Sequence, residues 1–239
     1  MTYTIVETTK PLTLIGGGEA TVDDVASALA LAPICVAADS GAHLALEAGI
    51  DVAAVIGDMD SISDRARARI AAERFHHIAE QDSTDFDKAL RHVSAPLVVA
   101  VGFCGGQIDH ALAALHTIIR RADRHIVLLG ATDIVFLCPP AFNVPTPAGT
   151  RVSLFPMGPV RGRSKGLFWP IDGIDFAPGL QAGTSNRTTG PFSIETDAPV
   201  MLCIMPRAFL QPVVQALLGL SATKRWPALA VPHRDPPQS

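Results

Sequence analysis

LVVAVGFCGGQIDHALAALHTIIRRA (97–122) is the stretch on which the fold turns. LVVAV (97–101) is an unbroken apolar run, as expected of a strand buried on both faces. Gly105 and Gly106 follow, and glycine lets backbone approach a ligand closely. From Gln107 onward, Ile108, Ala111, Leu112, Leu115, Ile118, Ile119 and Ala122 recur at helical spacing and predict one apolar helix face. A buried strand, a glycine turn and a helix make one unit of a parallel α/β sheet.

The same alternation extends on both sides. LTLI (12–15), CVAA (35–38), AAVI (53–56) and IVLLG (126–130) read as further strands, and FHHIA as another. Thr21 and Asp24 offer an N-cap before VASALAL, and GAHLALEAG (41–49) ends on Gly49, a suitable residue just past a helix. DRARARIAAER (64–74) opens on Asp64, which suits the positive end of a helix. Thr84 is placed to cap another helix. After residue 137 the pattern changes. CPPAFNVPTPAG (138–149) holds four prolines and reads as a linker. RVSLFPM, GLFWPI, GTSNRTTG, FSIETDAP and VMLCIM then read as short strands of a small antiparallel β domain. RAFLQPVVQALLGL (207–220) reads as a terminal helix broken at Pro212, and HRDPPQS as a disordered end.

Composition narrows the function. The 239 residues are 48% hydrophobic and 18% charged, enough to bury a sizeable core. With a net charge of −4 and RGRSK (161–165) as the densest basic cluster, a nucleic-acid partner is not expected. Four cysteines without a CxxC pair argue against structural zinc and for reduced thiols in a cytoplasmic protein. MTYTIVETTK lacks the charged leader and apolar stretch of a secretory signal, and no run of about 20 apolar residues escapes charge, Pro or Gly, so no membrane span is expected.

The chemistry is carried by aspartates at predicted strand ends. IGDMDS (56–61) sets Asp58 and Asp60 two residues apart, and QDSTDFDKAL (81–90) supplies Asp82, Asp85 and Asp87 beside Lys88. Carboxylates at i and i+2 of extended backbone share a side. With a second acidic segment alongside, they form a site for a hard cation such as Mg²⁺, which favours oxygen ligands and substrate phosphates. Asp39 follows another strand, where it either contacts a ribose or an amine or caps the next helix. LIGGGEAT (14–21) lacks the spacing of a dinucleotide fingerprint or a P-loop and carries a weak signal. His110 and His116, six apart, share no helix face as a metal pair does. Trp169 is read as core or as a stacking platform, and GTSN (183–186) as a turn or a set of polar ligands.

In their order, ADSGAHLALEAGI, IGDMDS, DSTDFDKAL, GFCGGQIDH, RVSLFPM, GLFWPI, GTSN and FSIETDAPV resemble the thiamine pyrophosphokinase (thiamine diphosphokinase) family over most of residues 35–205. The resemblance implies an α/β Rossmann-like nucleotide-binding domain (1–138), a Pro-rich linker (139–149), a β-sandwich thiamine-binding domain (150–222) and a tail (223–239). It implies transfer of the terminal diphosphate of ATP to thiamine, giving thiamine diphosphate and AMP, in a homodimer with the thiamine pocket near the subunit interface. Asp58, Asp60 and Asp85 would hold Mg²⁺ and carry catalysis, with Asp85 or Asp60 accepting the alcohol proton. Asp39, Gln81, Thr84 and Asp109 would line the ATP site. Trp169 would stack on thiamine, and Ser185 and Asn186 would border it. Asp82 and Asp87 are left to capping or solvated roles.

The sequence departs from the family pattern at Ser40, His43, Met59, Gln81 and Gln107. The last two remove positive charge near the expected phosphates, leaving Lys88 or backbone amides to compensate. Two other readings remain: a diphosphokinase for another hydroxymethyl heterocycle such as a pterin, and a non-catalytic sensor of nucleotide or thiamine.

Overall fold

A computed structural model describes residues 3–80, 82–220 and 225–228. Among them the chain runs β1 (Val6–Glu7), β2 (Leu12–Ile15), α1 (Val22–Leu29), β3 (Ile34–Ala38), α2 (Gly41–Glu47), β4 (Ala54–Gly57), α3 (Asp64–Arg69) and β5 (Phe75–His77). It continues through α4 (Asp85–His92), β6 (Val93–Ser94), β7 (Val98–Val101), α5 (Ile108–Arg120), β8 (Ile126–Leu129) and β9 (Asp133–Leu137). The rest is β10 (Ala141–Val144), β11 (Arg151–Pro156), β12 (Gly162–Leu167), β13 (Thr184–Thr196), β14 (Met201–Pro206) and α6 (Leu210–Leu218).

This is a mixed α/β fold built on one large sheet. Its strand order is β10-β13-β11-β14-β9-β8-β7-β2-β3-β4-β5, with β12 also paired to β13. From β8 to β5 every neighbouring pair is parallel. The apolar runs arise because both faces of these strands are covered. Leu12 and Leu14 of β2 join one core layer with Phe86, Leu90 and Ile118, from α4 and α5. Ile15 joins the other with Val25, Ala28, Ala42 and Ala66, from α1, α2 and α3. Chain order moves from β2 outward through β3 and β4 to β5, then returns to the other side of β2 at β7. That reversal is a topological switch point, where loops diverge and leave a crevice beyond the strand ends.

β9 connects the halves. It pairs antiparallel with β8 on one edge and with β14 on the other. The core layer containing Ile15 also includes Phe136, Val152, Leu154, Phe192 and Val213, so apolar packing runs on into the second half. Within the proline-rich stretch, Ala141–Val144 is a strand, not an irregular connection: it pairs with β13 through Ala141↔Glu195 to Val144↔Phe192. The prolines flank it, where no ladder donor is required.

Four other local readings change. GTSNRTTG and FSIETDAP lie on one long strand, β13, which pairs with β11 at its start and with β10 and β12 further on. α3 ends at Arg69, since Ile70 turns extended and buries its side chain. Pro212 does not break α6, because it is the third residue of that helix, where its missing N–H has no intrahelical acceptor. On α5, Ala114, Thr117 and Ile118 are buried, while Ile108 and Leu112 are exposed. The first turns of that helix border the crevice and not the core. Of the expected tail, residues 225–228 are described: Trp226 packs on the core layer of α4 and α5 and donates its indole N–H to the Cys138 carbonyl (2.8 Å). HRDPPQS lies outside the described residues. No helix among the described residues is long and apolar enough to cross a membrane.

Candidate active site

The crevice at the switch point is a cleft of about 710 Å³. The loop after β2 contributes Gly17 and Gly18, the loop after β3 Asp39 and Ser40, and the start of α4 Thr84 and Asp85. Gly105, Gly106, Gln107 and His110 enter from the turn and first residues of α5. Phe86 and Phe103, with ring centroids 4.2 Å apart, form an apolar wall.

Asp39 ends β3 as the IGDMDS turn ends β4, and these strands are neighbours in the sheet. One carboxylate oxygen from each of Asp39, Asp58 and Asp60 therefore falls within 4.8 Å of the others. The grouping is reached through a turn, not through the extended i, i+2 geometry expected from sequence. Met59, between the two aspartates, has φ +63°, and Asp39 has φ +42°. Left-handed backbone at a residue other than glycine costs on the order of 1–3 kcal/mol and persists where surrounding structure imposes it. Gly57 is needed here, because a Cβ on it would lie 2.8 Å from the Asp39 Cβ.

Charge is concentrated and partly uncompensated. Asp39 is 2% exposed, and its Oδ1 has no hydrogen-bond partner. Burial and the neighbouring Asp85, Asp58 and Asp60 carboxylates push its pKa up. A buried oxygen without a donor, facing further carboxylates, fits an oxygen-preferring divalent cation. Lys88 is 2% exposed and donates to Asp58 Oδ2 (2.8 Å) and Asp85 Oδ1 (3.2 Å). Burial favours the neutral amine, but the hydrogen bonds to Asp58 and Asp85 outweigh it and hold the Lys88 pKa above its usual value.

The expected site residues divide accordingly. Asp58, half-buried, and Asp60, exposed, group with Asp39, for which the sequence offers a ribose, an amine or a helix cap; unlike Asp39, neither of the two lines the cleft. Asp85 faces the same cleft but is tied to Lys88 and lies outside the three-carboxylate group. Thr84 lines the cleft and caps α4, accepting from the Asp87 amide at 3.3 Å. Lys88 is buried behind Asp58 and Asp85 and is not among the lining residues. Asp109 is exposed, accepts from the His110 amide, and does not line the cleft, whereas Gln107 and His110 do. Gln81 lies outside the described residues. Asp87 is neither a cap nor solvated: it is buried and accepts from Arg121 Nε (2.9 Å) and Nη2 (3.1 Å).

The second half brings Trp169 and Asn186 together. Buried Asn186 accepts from the Trp169 amide (3.2 Å) and donates to the Trp169 carbonyl (2.7 Å). The indole is 55% exposed and meets the Phe168 ring edge-on at 4.7 Å. The Arg187 guanidinium lies 4.2 Å from the centroid of Phe168 and 5.7 Å from that of Trp169. Ser185 is exposed on β13 opposite Ser153. None of Trp169, Ser185 and Asn186 lines the acidic cleft. Phe168 and Arg187 were missed by sequence reading, although Phe168 is adjacent to the tryptophan.

Fold and site define an α/β protein whose carboxylate-bearing cleft sits at the switch point of its sheet. Residues 25–129 match the family model for the thiamin pyrophosphokinase catalytic domain. Among curated proteins, thiamine pyrophosphokinase 1 of Oryza sativa subsp. japonica is 27% identical over 149 residues, covering 54% of this chain and 56% of that protein. The thiamine pyrophosphokinase of Bacillus subtilis (strain 168) is 30% identical over 124 residues, covering 49% of this chain and 58% of that one. The chain thus spans little more than half the length of these relatives. Among solved structures, thiamin pyrophosphokinase from Candida albicans superposes with a TM-score of 0.71 at 16% identity, covering 84% of this chain and 93% of that one. The enzyme from Geobacillus thermodenitrificans gives 0.68 at 22% identity, covering 82% and 96%. The resemblance to the thiamine pyrophosphokinase family is borne out, by sequence over the α/β half and by fold over most of the chain.

Proposed function

We propose that this protein transfers the terminal diphosphate of ATP to thiamine in a Mg²⁺-dependent reaction, giving thiamine diphosphate and AMP. The observation that carries the reading is the Asp39–Asp58–Asp60 group, whose Asp39 lines the switch-point cleft, inside the segment matched to the catalytic domain. The thiamine hydroxyl oxygen attacks the β-phosphorus, the bond from that phosphorus to the oxygen of AMP breaks, and the alcohol proton passes to a carboxylate. Asp60 and Asp85 are the candidates for that proton. Asp58 and Asp60, with Asp39 beside them, are the residues to hold Mg²⁺, and Asp85 faces the same cleft across Lys88. Bound there, the cation would neutralise charge on the diphosphate and the departing AMP. Thr84, Gln107 and the glycine turn before α5 border the phosphates, and the N-terminal end of that helix supplies amide donors and a positive dipole.

Residues 1–138 would hold the nucleotide and 150–222 the acceptor, with Trp169 stacking on thiamine and Ser185 and Asn186 beside it. The exposed, touching rings of Phe168 and Trp169 suit a surface covered by a second copy of the chain, with the acceptor pocket completed between subunits. A second reading, a sensor that binds without turnover, draws on one observation: among the described residues, no Lys or Arg lines the cleft. One assay separates the two. The protein is incubated with ATP, Mg²⁺ and thiamine, and AMP and thiamine diphosphate are measured. Equal amounts of both are expected. Formation of ADP, or thiamine binding without AMP release, would overturn the enzymatic reading.

A further inference from the structure

The turn that carries Asp58 and Asp60 does not hold its shape through the backbone ladder. β4 ends at Gly57, whose carbonyl accepts from the Ile78 amide (2.7 Å) in the last ladder-like contact before the turn. Beyond it, Met59 takes the left-handed conformation at φ +63°, which an L side chain rarely adopts. Two side chains from outside the turn hold it. Arg67, on α3, donates through Nη2 to the Met59 carbonyl at 2.8 Å. His43, on α2, accepts from the Ser63 amide through Nε2 at 3.0 Å, and Ser63 is itself the N-cap of α3. The Met59 side chain is 8% exposed and packs in the core layer of α1, α2 and α3. The peptide between the two aspartates is thus held from one end by a buried methionine and from the other by a guanidinium.

We propose that Arg67 is a positioning residue for the carboxylate group: its hydrogen bond to the Met59 carbonyl keeps the turn left-handed, and this keeps Asp58 and Asp60 converged on Asp39. The inference rests on reading these aspartates as cation ligands. Arg67 touches neither the carboxylates nor the cleft, so it acts through the turn. Groups that orient metal ligands from outside the coordination set commonly change affinity by about 10- to 100-fold when removed.

The sign of the effect distinguishes positioning from charge. An arginine near an acidic group repels a cation, so if Arg67 acted only through its charge, Arg67→Ala would tighten cation binding. Positioning requires the opposite. The test is calorimetric titration of Mn²⁺, as a stand-in for Mg²⁺, into nucleotide-free wild type, Arg67→Ala and Arg69→Ala. Arg69→Ala removes the same charge from the same helix, and among the described residues no hydrogen bond or ion pair joins Arg69 to the turn. Expected are a weakening of about tenfold or more for Arg67→Ala, less than about twofold change for Arg69→Ala, and partial recovery of Arg67→Ala alone when guanidinium is added. Equal or tighter binding by Arg67→Ala, with wild type binding normally, overturns the positioning role and leaves the carboxylate site intact. No Mn²⁺ binding by wild type overturns the cation-site reading, and the positioning role with it. Thermal unfolding without metal checks that Arg67→Ala is folded; should it not be, Arg67→Lys is titrated in its place, with the same two outcomes.

Discussion

The acidic cleft and the aromatic patch are built in opposite ways. At the cleft, part of the charge is drawn inside: Asp39 on its wall and Lys88 behind it are each 2% exposed, and left-handed backbone at Asp39 and Met59 aims the carboxylates. In the patch, Trp169 is 55% exposed, its backbone is held by a buried amide, and its ring faces outward. The cleft is walled by this chain's own loops, whereas the patch is open. The contrast teaches where sensitivity should lie. Changes in the cleft disturb buried charge and therefore both fold and chemistry. Changes in the patch disturb an exposed ring and should act mainly on affinity.

The largest expected effect is that of Lys88→Met. It takes the shared ammonium from Asp58, which is largely buried, and from Asp85, which is 40% exposed, so the loss falls at or below the lower end of the about 3–5 kcal/mol typical of breaking a buried ion pair. Chemical unfolding reads this directly, and a loss below about 1 kcal/mol would show that the cleft is more solvated than its geometry implies. Next comes Asp60→Asn. Removing one cation-directed carboxylate should lower turnover by at least about 100-fold and raise the Mg²⁺ concentration needed for half-maximal rate. An unchanged Mg²⁺ titration would remove Asp60 from the site.

His125 separates the pH response of the fold from that of the cleft. It precedes β8, beyond the opposite ends of the parallel strands, and burial followed by the nearby Arg225 charge pushes its pKa down from 6.5 to about 4. The unfolded chain therefore binds a proton that the folded chain refuses between these values. Stability from this group is full above pH 6.5 and is lost as pH falls toward 4, by about 3 kcal/mol in total. His125→Phe should flatten that acid limb of the unfolding curve while leaving the dependence of turnover on Mg²⁺ unchanged.

Two smaller effects sharpen the description of the patch. Asn186→Ala removes hydrogen bonds to the Trp169 amide and carbonyl and to the Arg187 amide, and should destabilise by about 1–2 kcal/mol while raising the KM for thiamine. Trp169→Ala should raise that KM by about 2- to 30-fold, corresponding to about 0.5–2 kcal/mol of stacking, with stability and kcat nearly unchanged. A defect confined to kcat would assign Trp169 to the chemistry and erase the contrast between the two regions.

Much of this was readable in the one-dimensional pattern. LTLI, CVAA, AAVI, LVVAV and IVLLG announced the parallel strands because double-sided burial demands continuous apolar residues. Thr21 and Thr84 announced helix starts because the first amides of a helix need acceptors. Other features depend on which surfaces meet. Ile108 and Leu112 follow the helical period as faithfully as Ile118, yet they are exposed because α5 begins at the cleft. β13 is continuous although its sequence looks like two pieces, because β11 pairs with its first residues and β10 and β12 with its last.

The alternation of strands and helices, the glycine turns and the presence of aspartates at strand ends are legible along the chain, because all of them follow from local periodicity and backbone preference. Which aspartates converge depends on how the strands are ordered and the helices packed. Asp39 stands beside Asp58 because β3 and β4 are neighbours, and Asp85 is diverted to Lys88 because α4 lays that lysine under the IGDMDS turn. Such distances are set by strand order and helix packing, which no local spacing encodes.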